Sequence, residues 1–141
     1  MNRMKISFSA KMENESFARC AVASFISQLD PTLEEISDIK TAVSEAVTNC
    51  IVHAYNEQLG TIYITVRILE NNKISIKIRD KGCGIADIKQ AMQPMYSSLG
   101  GERAGIGFAV MESFMDKISV RSTVNKGTTV TLYKKICGRK K

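Results

Sequence analysis

The chain has no tryptophan, one histidine (His53) and two prolines, and its four cysteines are scattered at Cys20, Cys50, Cys83 and Cys137. No C-x-x-C pair occurs, so a structural zinc site lacks its ligand set. The thiols read as reduced ones in a cytoplasm. No apolar run approaches the ~18 residues of a membrane span, and no basic, apolar, small-residue signal opens the chain. A cytoplasmic protein without a membrane partner is expected. Acids are missing from one region: positions 121–141 hold seven basic side chains and no acidic one. The first 120 residues carry 13 basic and 14 acidic side chains, so the net charge of +6 resides near the C-terminus. The basic tail, about 134–141, reads as a solubilising terminus, and no direct nucleic-acid contact is expected.

What is there is ordinary globular material, 141 residues with 44% hydrophobic and 24% charged side chains. One domain over 1–141 is expected, long enough to bury its own core. Met4, Ile6, Phe8 and Ala10 alternate with polar residues and predict a half-buried strand. Phe17, Ala21, Val22, Phe25, Ile26 and Leu29 recur at helical spacing until Asp30-Pro31 stops the helix. Thr32 and Glu35 form a capping box for a second helix, whose stripe is Ile36, Ile39, Val43, Ala46, Val47, Cys50, Ile51 and Ala54.

Two alternating segments follow, Ile62–Ile68 and Ile74–Ile78, joined at Asn71-Asn72 as a hairpin. Asp80 to Gly107 is glycine-rich, with a short helix expected near Ile88–Met92 and another from about Gly105 to Met115. A second hairpin, Ile118–Val124 and Thr128–Ile136, ends the pattern. The expected fold is α+β, a two-layer sandwich of a mostly antiparallel mixed sheet with helices on one face.

Four groups of residues could carry chemistry. Glu45 and Asn49 lie four apart on one helix, about 40° apart in projection. By themselves they read first as a solvated helix face, and otherwise as a proton-accepting carboxylate beside an amide oxygen for a hard cation. Asp80-Lys81-Gly82-Cys83-Gly84 leaves a strand end, and reads as a ligand-accepting aspartate with close backbone approach or as an ordinary turn. Arg103, Gly105 and Gly107 run into a helix start, and read either as free N–H groups and a guanidinium that suit phosphate or as a surface loop capped by a helix. No P-loop pattern is present. Thr128, after Asn125-Lys126-Gly127, is either a strand-favouring hairpin residue or a hydroxyl facing a ligand on the next strand.

The order E-x-x-x-N, D-x-G-x-G, G-x-G and G-T resembles the ATP-binding (Bergerat-type) fold shared by gyrase, Hsp90 chaperones, histidine kinases and MutL. Glu13–Arg19, Gln28–Thr32, Ser44–Asn49 and Asn125–Val130 resemble the bacterial anti-sigma F factors with serine kinase activity. The resemblance implies that Glu45 is the general base and that Asn49 holds Mg²⁺ against the ATP phosphates. It implies that Asp80 accepts from the adenine amino group, with Gly82 and Gly84 letting the base sit close and Thr128 on the same edge. Arg103, Gly105 and Gly107 would bind phosphate, and about 87–104 would form a lid distinguishing ATP from ADP. Implied partners are a sporulation sigma factor, an anti-anti-sigma protein phosphorylated on serine, and a second copy in a homodimer. Arg19 is a candidate partner contact. The alternative is an ATP-gated sigma-binding module without significant kinase activity.

Overall fold

The computed structural model describes residues 1–55, 59–85 and 101–139, the side chains of 101–105 excepted. The expected helix near Ile88–Met92, and the lid up to residue 100, lie outside the described residues.

The first strand, β1, is Asn2–Ser9, and helix α1 is Glu15–Ile26. Helix α2 is Leu33–Asn49, and its capping box is present: Thr32 Oγ1 accepts from the Glu35 N–H at 3.1 Å while Glu35 accepts from the Thr32 N–H at 2.9 Å. Strands β2 (Thr61–Ile68) and β3 (Lys73–Asp80) form the first hairpin, with Asn71 and Asn72 both at positive φ. Helix α3 is Gly101–Phe114, followed by β4 (Lys117–Thr123) and β5 (Gly127–Lys135).

The strand order is β1-β2-β3-β5-β4, and all four pairings among the described residues are antiparallel. The expected mixed sheet is therefore corrected. Strands β3 and β4, linked through α3, do run in the same direction, but β5 returns from its hairpin and inserts between them. Every neighbour is then antiparallel.

Alternation decides what the sheet buries. Ile62, Ile64, Val66, Ile74, Ile76, Ile78, Val130 and Leu132 point to the helix side and are at most 6% exposed. They pack with Ala18, Val22 and Ile26 of α1, Ile39, Val43 and Val47 of α2, and Phe108 and Met111 of α3 in one core. A large aliphatic side chain so buried contributes about 1.5–3 kcal/mol. Several positions of the expected stripes are only partly buried, among them Ala21, Phe25, Leu29 and Ala54, and Phe17 and Ile36 are instructive. Phe17 lies outward at 54% exposure, edge-on to Phe8 at 6.2 Å, because Ala18 takes the inward place one residue later. Ile36 is only half-buried, since the deep part of α2 begins at Ile39.

Candidate nucleotide site

Helix α2 continues beyond Asn49 as a π-helical turn, Cys50–Ala54. This widened turn ends where the Asp80–Gly84 loop docks, with the Cys83 N–H donating to the Ala54 carbonyl at 2.9 Å. π-turns of this kind occur where a helix is adapted to a site.

Asp80 ends β3 on the buried side and is 5% exposed. Its Oδ1 accepts from the Gly82 N–H at 2.9 Å and the Thr128 N–H at 3.2 Å. Burial raises its pKa above the ordinary carboxylate value, and the hydrogen bonds from Gly82, Cys50 and Thr128 offset only part of that rise. Thr128 stands opposite Asp80 in register. Its hydroxyl meets Ser122 Oγ at 2.8 Å, and Ser122 Oγ also accepts from the Ile85 N–H at 2.6 Å and donates to the Gly127 carbonyl at 3.1 Å. The structure thus brings Asp80, Thr128 and the glycine loop together.

The two loop glycines allow protein backbone to approach closely. A Cβ at Gly82 would collide with the Ala54 carbonyl, and one at Gly84, which sits at φ 76, with the Thr123 carbonyl.

Glu45 and Asn49 are both half-buried, so the pair is not on a fully solvated helix face. Helix α3 crosses that flank, so both side chains converge on Gly107. A Cβ at Gly107 would lie 3.2 Å from each of Asn49 Nδ2, Asn49 Oδ1 and Glu45 Oε1. Both polar atoms of the Asn49 amide are buried and make no hydrogen bond. An orphaned amide is costly, about 1–3 kcal/mol per buried group. Its oxygen is of the kind that suits a hard cation. A group of three or more His, Cys, Asp or Glu that could hold a metal is absent among the described residues.

Arg103 falls in the first turn of helix α3, but Gly105 and Gly107 are not at its start. Helix α3 begins at Gly101, so Gly105 and Gly107 lie in its second turn, past the first four N–H groups that a helix leaves free. Nothing in Ala104-Gly105-Ile106-Gly107 breaks a helix, and a run opening four residues earlier keeps the same inward face at Gly107, Phe108 and Met111.

Two contributors escaped the sequence reading. Ser122 is signalled only by its place opposite Thr128 in the hairpin. Tyr55 closes the other side: its hydroxyl accepts from the Lys81 N–H and donates to the Thr61 carbonyl, both at 2.6 Å. Burial raises the Tyr55 pKa, with Asp80 and Cys50 adding to the rise. Tyr55 belongs to no motif in the sequence.

A family profile described as a histidine kinase-like ATPase domain matches residues 8–134. The chain is 57% identical over 136 residues to the anti-sigma F factor of Caldanaerobacter subterraneus subsp. tengcongensis, covering 96% of this chain and 94% of that protein. It is 51% identical over 141 residues to the anti-sigma F factor of Geobacillus thermodenitrificans, covering 99% and 96%. Among solved structures, the RsbU and RsbW domains of a Mycobacterium tuberculosis protein superpose with a TM-score of 0.71 at 17% identity, over 96% of this chain and 32% of that one. The histidine kinase domain of an Erythrobacter litoralis blue-light-activated kinase gives 0.57 at 19% identity, over 86% and 60%. The buried aspartate, the helix-borne Glu–Asn pair and the antiparallel sheet thus sit in a chain that belongs to the anti-sigma F factor family, built on a histidine kinase-like ATPase domain.

Proposed function

We propose that this chain binds and inhibits a sporulation sigma factor and, using ATP, phosphorylates a serine on that factor's anti-anti-sigma antagonist in the cytoplasm. The observation that carries the reading is the meeting of Glu45, Asn49 and Gly107 at one point between α2 and α3. Asp80 and Thr128 would take the adenine edge, and Arg103, Gly105 and Gly107 the phosphate end. In the described helix the Gly105 N–H is engaged by helix geometry, so its use for phosphate requires the first turn of α3 to open as nucleotide binds.

Glu45 faces two ways. Besides meeting Gly107, it borders a groove of about 480 Å³ on the outer side of α1 and α2, which Arg19, Ser37, Lys40 and Ser44 also line. A serine-bearing segment of the antagonist lying in this groove would bring its hydroxyl to Glu45 from outside while ATP lies inside. Glu45 accepts the hydroxyl proton, the serine oxygen bonds to the γ-phosphorus, and the bond to the β-phosphate oxygen breaks with release of ADP. Asn49 Oδ1 would hold Mg²⁺, which neutralises charge on the transferring phosphate when bound. Arg19, paired with Glu15 at 3.6 Å, places a cation at the groove wall for a partner.

The test is phosphate transfer from Mg·ATP to the antagonist, read by mass, beside calorimetric binding of ATP and GTP. Glu45→Ala is expected to bind ATP as wild type does and to lose about 10²–10⁴-fold in transfer. Asp80→Asn keeps an oxygen for its two N–H donors but is expected to lose about 10–100-fold in ATP affinity, and with it the preference over GTP. Equal losses of binding and transfer in Glu45→Ala would remove its role as base. ATP-dependent sigma binding with no phosphate on the antagonist would leave a gated binding module instead.

A further inference from the structure

The side of the sheet opposite the helices bears no covering element among the described residues. Its outward positions hold Arg3 and Lys5 on β1, Arg67 on β2, Lys73, Lys77 and Arg79 on β3, Lys117 and Arg121 on β4, and Lys135 on β5. All nine are exposed, and no outward strand position is acidic. The rest of the face is serine, threonine and two tyrosines. The carboxylates that balance the charge along the chain lie elsewhere, chiefly on helices and turns.

Two features show that this is an organised surface. Arg3 stands directly opposite Arg67, and Lys73 directly opposite Lys135. Like charges so placed destabilise a sheet, by about 0.2–1 kcal/mol per pair. The tyrosines also hold cations in position: Arg79 and Lys81 lie 5.0 and 5.1 Å from the Tyr63 ring centre, and Lys117 lies 5.7 Å from that of Tyr133. A shallow groove of about 420 Å³ runs over β1, β2 and β3, with Lys5, Tyr63, Lys77 and Arg79 among its walls.

We infer that this sheet face binds the phosphate backbone of nucleic acid without reading its sequence. A second copy is a poor occupant, because face-to-face pairing would press cation against cation. A flat array of cations spread over all five strands, with its tyrosine rings already engaged, suits repeated phosphates rather than stacked bases. The charge count along the chain pointed away from nucleic acid because it could not show that folding puts the cations of every strand on one side.

The experiment titrates the full chain against a short labelled duplex of arbitrary sequence at about 50 and about 200 mM salt. Two variants are compared, Lys5→Glu/Arg67→Glu/Lys77→Glu on the face and Lys140→Glu/Lys141→Glu in the tail. Wild type is expected to bind at micromolar levels at the lower salt and to weaken at least tenfold at the higher. The face variant is expected to lose at least tenfold at low salt and the tail variant less than threefold. Arg67→Glu relieves the repulsion with Arg3, so the face variant should melt no lower than wild type and keep its ATP binding. Binding that survives in the face variant and fails in the tail variant would overturn the inference. So would tight binding of polyglutamate or anionic vesicles without binding of the duplex, or dimerisation that the face variant abolishes.

Discussion

Changing Gly107 to alanine would add one methyl group 3.2 Å from Asn49 Nδ2, Asn49 Oδ1 and Glu45 Oε1 at once. Non-bonded carbon contacts are comfortable at about 3.5–4.0 Å, so these atoms must withdraw by a few tenths of an ångström. Two effects then oppose each other in stability. Alanine within a helix is favoured over glycine by about 1 kcal/mol, while crowding two side chains gives back a similar amount. Folding should therefore change by less than about 1 kcal/mol. Chemistry has no such offset. A displacement of about 1 Å at a reacting group can lower a rate about 10²-fold, and a shift of a few tenths should lower transfer about tenfold. The assay pairs urea denaturation with the initial rate of phosphate transfer to the antagonist. A wild-type rate would refute the convergence on which the site rests. A joint loss of stability and activity would mean that Gly107 serves packing alone.

Tyr55→Phe removes the partner of the Lys81 N–H and the Thr61 carbonyl, both within reach of water, and should cost about 0.5–1.5 kcal/mol in a melt. Because Lys81 follows Asp80, the KM for ATP should rise several-fold with kcat nearly unchanged; an unchanged KM would make Tyr55 purely structural. Glu35 accepts not only from Thr32 but from the N–H groups of Cys137 at 2.7 Å and Gly138 at 3.1 Å, tying the C-terminal segment to the start of α2. Burial raises the Glu35 pKa, yet the bonds from Thr32, Cys137 and Gly138 outweigh it and leave it below the ordinary 4.5. The folded value lies below the unfolded one, so the stabilisation is complete above about pH 4.5 and fades as the pH falls through the folded value. Glu35→Gln should cost about 1–2 kcal/mol at neutral pH, with the gap to wild type narrowing below pH 4.5; a gap independent of pH would refute the clamp.

Much of the fold was legible because its signals are local. The Thr32–Glu35 box, the stripe from Ile39 to Ile51 and the isoleucine alternation of β2 and β3 each report one element's period. Of the site, Asp80 and Thr128 were legible as motif positions, and register sets them side by side. Phe17 was misplaced because spacing alone does not say which edge of an apolar stripe meets the sheet. The start of α3 was misplaced because glycines permit a loop but do not enforce one. Ser122 and Tyr55 were missed because their roles are hydrogen bonds to residues distant in the chain.

By itself, then, the sequence determined most of the described elements, the antiparallel hairpins and the family resemblance, since each depends on neighbours a few positions apart. Only the tertiary structure decided that β5 enters between β3 and β4, that α3 brings the half-buried Glu45 and Asn49 together at Gly107, and that a chain with an evenly balanced first 120 residues carries one face whose charges are all cationic. Strand order and helix docking set those outcomes, and both follow from which apolar faces cover one another across long stretches of chain, a condition that no local period contains.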